Sequence, residues 1–86
     1  MKFQGALIKE QGVVFGIVIV NSRVLQNNNA SNAVRQFGYK VFGRVPIILM
    51  SQNSRGIPTY LGRKDIVQYL SRVPLNCIPW REYSIA

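Results

Sequence analysis

Proton transfer near neutral pH needs a side chain that titrates there, and this chain offers few. Its 86 residues contain no His, one Cys (Cys77) and three acids (Glu10, Asp65, Glu82), against eleven Lys and Arg. Cys77 has no imidazole to draw off its proton, and its neighbours Leu75 and Ile78 mark it as a small buried hydrophobe rather than a nucleophile. The carboxylates are dispersed: Glu10 lies by a hairpin turn, Asp65 by a helix start and Glu82 in the tail. Such a set is too thin for a general acid–base pair or a metal site. No Walker loop and no Gly-x-Gly-x-x-Gly cradle is present. The expectation is a protein without catalysis, cofactor or metal.

The formal net charge of +8 points to a polyanion or to simple solubility. The basic residues are scattered, with no run longer than two, and seven of the eleven are Arg, the cation whose planar fork suits phosphate. Arg55 sits at an expected hairpin tip, and Arg63 with Lys64 flanks an expected helix start, where the dipole favours an anion. These three lead the candidates for anion or nucleic-acid contact. Lys40 and Arg44 follow, from a stretch that holds Arg35, Phe37, Tyr39, Lys40, Phe42 and Arg44; so does Arg81, between Trp80 and Tyr83. Aromatics beside cations suit base stacking with phosphate contacts, although Phe37 and Trp80 read as core residues with the Arg side chains at their rim.

The elements that must position these groups follow from hydrophobic pattern and turn chemistry. Residues 2–10 read as a strand and Gln11-Gly12 as its turn; Val13 to Val20, β-branched and apolar, returns as the second strand. Gly16 within it marks a bulge or a close neighbour. The Asn run at 26–32 offers helix caps, and Ala30, Ala33, Val34, Phe37 and Val41 follow helical spacing. The helix either stops at Gly38 or runs on to Gly43, and the shorter form is expected, since a glycine inside it costs ~1 kcal/mol. Val45 to Met50 is a third strand, Asn53 to Gly56 a turn, and Ile57 to Leu61 a fourth strand that Pro58 assigns to a sheet edge. Asp65 then caps a second helix, with Gln68 completing a capping box, and Pro74 ends it. Leu75, Ile78, Trp80, Tyr83 and Ile85 make the tail too apolar to float free, with a short strand near 82–85.

The expected fold is one α+β domain over residues 1–86: a small mixed four-stranded sheet in β-β-α-β-β-α order with a packed C-terminal tail. The second and third strands should be parallel across a right-handed crossover. Both are apolar on both faces, and continuously apolar strands are buried on both sides. The cover comes either from the helices and tail or from a second copy, so a homodimer is expected. The longest apolar run falls short of the roughly 20 residues that span a bilayer, so no membrane partner is expected. The opening Met1-Lys2-Phe3-Gln4-Gly5 does not read as a signal peptide, and a lone Cys forms no internal disulfide, so the expected compartment is the cytoplasm.

Residues 45–72 (Val-Pro-Ile-Ile-Leu-Met, a turn, Ile-Pro-Thr-Tyr-Leu-Gly and an amphipathic helix) resemble the closing β-β-α half of thioredoxin-like proteins. Pro46 and Gly62 match that family's cis-proline and its glycine before the helix. The resemblance implies a thioredoxin-like variant as the alternative fold. The family's Cys-x-x-Cys pair is absent, so no redox activity is implied. The functional expectation is a protein-interaction module that self-associates, with nucleic-acid binding through Arg55, Arg63 and Lys64 as the alternative.

Overall fold

The computed structural model describes residues 2–10 and 12–84. Its sheet has five strands rather than four, in the order β4-β3-β2-β1-β5: β1 (Lys2–Glu10), β2 (Val13–Ile19), β3 (Ile47–Gln52), β4 (Pro58–Leu61) and β5 (Arg81–Ser84). The apolar tail supplies the fifth, pairing antiparallel with β1 from Lys2↔Ser84 to Gly5↔Arg81. Ile85, which the sequence reading also assigned to the tail, lies outside the described residues. β1 and β2 form the expected hairpin, and β2 and β3 run parallel. β4, starting at Pro58, is an edge strand, as the missing proline N–H requires.

Three helices join the strands: α1 (Ser22–Leu25), α2 (Asn28–Phe42) and α3 (Lys64–Leu70). The Asn-rich segment divides its work. Asn21 caps α1 by accepting from the Val24 amide, and Asn27 caps α2 by accepting from the Ala30 amide at 3.0 Å. The single turn of α1 had no signal beyond that cap; the Ser31 hydroxyl locks it to α2 by donating to the Val24 carbonyl at 2.6 Å. α2 does not stop at Gly38 but runs on to Phe42 and ends at Gly43, whose φ is 87°. The reason is tertiary. A Cβ at position 38 would lie 3.0–3.1 Å from three carbons of Ile47, so the glycine lets the helix press onto β3. That packing outweighs the local propensity cost.

The two-sided apolar character of the central strands is met within the chain. Phe15, Ile17, Ile48 and Met50 face one way and pack with Ile66 and Leu70 of α3 and with Ile78. Val18, Ile47 and Leu49 face the other way, under Val24, Leu25, Val34 and Phe42 of α1 and α2. Gly16 marks a close neighbour, not a bulge: a Cβ there would meet the Phe42 ring at 2.5 Å. Each fully buried Ile, Leu or Phe removed from water contributes roughly 1.5–3 kcal/mol. No helix among the described residues is long and apolar enough to cross a membrane.

Two local expectations are corrected. Asp65 does not cap α3; Arg63 holds the cap position without a side-chain bond to the helix backbone, and Asp65 falls in the first turn. Cys77 is exposed, in a 3₁₀ turn at Leu75–Cys77, because that turn directs Ile78 rather than the thiol into the core. The β3–β4–α3 unit forms as the thioredoxin-like resemblance implied, yet a β-hairpin precedes it and no described peptide bond is cis, Pro46 included.

Candidate nucleic-acid interface

The C-terminal half of α2 places Arg35 and Tyr39 four residues apart, hence on one helix face. Gly43 then ends the helix and the chain turns through Arg44 and Pro46 into β3. On the far side of β3, β4 runs back toward the same end of the sheet and delivers Gly62, Arg63 and Lys64. Two stretches distant in sequence, 35–46 and 62–64, thus meet there. One groove, of about 390 Å³, has Arg35, Tyr39, Pro46 and Arg63 on its walls. A second, of about 550 Å³, shares Tyr39 and Pro46 and carries Arg44. A third, of about 330 Å³, shares Leu61 and Gly62 with the first and carries Lys64. Arg44, Arg63 and Lys64 are exposed and Arg35 half-buried.

These cations differ in how free they are. Arg63 donates through Nε and Nη2 to both oxygens of Asp65, each at 2.7 Å. That two-bond grip holds the Asp65 carboxyl down at about 2 and raises Arg63. Arg35, Arg44 and Lys64 reach no carboxylate among the described residues. Arg35 makes one long contact, 3.4 Å, to the Asn32 side chain.

Of the residues singled out by sequence, Arg44, Arg63 and Lys64 belong to this surface and the others do not. Arg55 sits on the β3–β4 turn, which Asn53 closes by accepting from the Arg55 and Ile57 amides. The whole length of β4, roughly 13 Å for four residues, separates that turn from Gly62. Arg81 lies on β5, four strand spacings or roughly 19 Å across the sheet from β4. Lys40 turns to the other flank of α2, its Nζ 5.7 Å from the Phe37 ring centroid. Phe37 and Trp80 are half-buried, and the Trp80 indole donates to the Leu75 carbonyl at 2.9 Å. Arg35 and Tyr39 are the residues that the candidate set omitted; their four-residue spacing on a helix was the available signal.

A second concavity has the opposite character. Glu10 and Asp65, treated as unrelated in sequence, line one cavity of about 130 Å³ with Tyr69 over an apolar floor of Val13, Phe15 and Ile66. Burial and the adjacent Glu10 carboxylate push the Tyr69 phenol up. No group of three or more potential metal ligands occurs among the described residues. Comparison with family models, curated proteins and solved structures found no match to this chain.

Proposed function

We propose that this chain is a non-catalytic nucleic-acid-binding module, and that its contact surface is the joined set of grooves carrying Arg35, Arg44, Arg63 and Lys64. One observation carries the proposal: guanidinium groups from two separate stretches of chain, 35–44 and 63, line adjoining grooves that share Tyr39 and Pro46. Among the described residues three of the four cations have no carboxylate partner, which leaves their charge to phosphate. The set differs from the one expected from sequence: Arg44, Arg63 and Lys64 stay, Arg35 joins them, and Arg55, Lys40 and Arg81 fall away.

A salt titration tests the proposal. Binding to a nucleic-acid oligomer should weaken steeply with salt, with a log–log slope of about −2 to −3 for three or four contacts on a single strand. Absence of binding at low salt, or a flat salt dependence, would remove the proposal and return the +8 to solubility.

Self-association is a second proposal, supported by a different observation. β5 pairs with β1 only as far as Gly5, so among the described residues no strand lies against the outer edge of residues 6–10, where Leu7 is 45 % exposed. An uncovered edge is a template for another strand. The sheet faces are already covered, so a homodimer would form through this edge. Sedimentation showing a monomer at working concentration would remove it.

A further inference from the structure

We infer that the surface takes a single strand rather than a duplex, with an unpaired base stacked on the Tyr39 ring and its flanking phosphates held by Arg35 and Arg44. The inference rests on the nucleic-acid proposal above and adds the form of the ligand.

Among the described residues, Phe37 and Tyr39 are the two aromatic residues outside both core clusters and every ring pair, and of these Phe37 is half-buried with Lys40 over its ring. Phe3, Phe42 and Tyr83 contact one another, Phe15 packs edge-on against Tyr69, and Trp80 is tied to the backbone. Tyr39 belongs to neither core cluster, makes no ring pair, and is 40 % exposed. A ring that the core does not use is open to a ligand, and a base stacks on an aromatic whatever its identity.

Position decides the form of the ligand. The ring lies where two grooves meet, with Arg44 in one and Arg35 in the other. Arg35 is one helical turn from Tyr39, about 5–6 Å between Cβ atoms, so its long side chain reaches the phosphate of a base lying on the ring. Duplex DNA keeps its bases stacked inside a convex cylinder and is read by elements that project into a groove. Here the aromatic lies between two shallow, open depressions, and a duplex on them has no unpaired base for the ring to stack on. A single strand can turn one out.

The full chain is assayed by fluorescence anisotropy at low salt against three labelled probes: a dT 12-mer, an abasic 12-mer with the same phosphates, and a 12-base-pair duplex. The dT strand should bind about 10-fold more tightly than the abasic strand, in line with the usual gain from stacking one base. Y39A should abolish the preference for dT over the abasic strand, and Y39F should keep it. Equal binding of dT and abasic strands overturns the inference while leaving phosphate contact standing. So does duplex binding as tight as that of dT. Failure to bind all three, or equal binding of poly-glutamate, overturns the nucleic-acid proposal itself. Should Y39A not fold, the wild-type comparison of the three probes still decides.

Discussion

The two concave regions on either side of the Arg63–Asp65 pair use charge in opposite ways. Toward α2 and Pro46 the walls carry Arg35, Arg44 and Arg63, and Arg63 alone has an acid partner among the described residues. Toward the β1–β2 turn they carry Glu10 and Asp65, with Asp65 already held by Arg63 and the floor apolar. One region leaves its charge unmatched and the other is half neutralised from within. In a chain of eleven cations and three acids, the identity of the few cations that are matched carries more information than the excess.

Charge reversal breaks the comparison most severely. R35E/R44E/K64E should weaken oligonucleotide binding by at least about 100-fold at low salt, because each lost phosphate contact is replaced by repulsion. E10Q, across the Arg63–Asp65 pair, should leave binding unchanged within about two-fold. Anisotropy on the two variants reads both outcomes, and equal losses would show that the regions do not act separately.

The next effect concerns the support beneath both regions. G16A drives a Cβ into the Phe42 ring, which also packs against Phe3 and Tyr83. Overpacking of this kind costs about 1–3 kcal/mol, so urea unfolding should show a lower midpoint with an unchanged slope.

A smaller change sharpens the contrast. D65N removes the acid that occupies Arg63 and should release that guanidinium to the ligand. Affinity should rise a few-fold and the salt slope steepen by about 0.7. An unchanged slope would mean that Arg63 does not face the ligand.

The weakest expected effect is on pH dependence. The Asp65 carboxyl falls from 3.8 to about 2 on folding, so the pair supports the fold fully above its ordinary value. That support is lost as pH falls from about 4 to about 2. Unfolding measured across this window should be steeper in pH for the wild type than for D65N.

Much of the frame was legible in the chain. β1, β2 and β3, the parallel pairing of β2 with β3, and the edge position of β4 follow from apolar runs, turn residues and Pro58. What failed depended on distant neighbours. Gly38 reads as a helix stop until Ile47 is known to press against it. The short strand expected near 82–85 forms at Arg81–Ser84, but its place in the sheet was not legible, because it pairs with a β1 edge at the other end of the sequence. The candidate surface was half legible for the same reason. Arg55 and Arg63 look close in sequence but are held apart by a strand, whereas Arg35 and Arg44 join Arg63 because β4 runs back alongside β3 to their end of the sheet.

The pairing of β1 with β5 also sets an order of events. Gly5 meets Arg81 only after nearly the whole chain has been drawn into one loop, and such a contact is reached late in folding. Its entropic cost rises only logarithmically with the span, so the closure is slow more than it is weak. β5 is therefore the last strand to join the sheet and the first to leave it, and each departure uncovers the rest of the β1 edge.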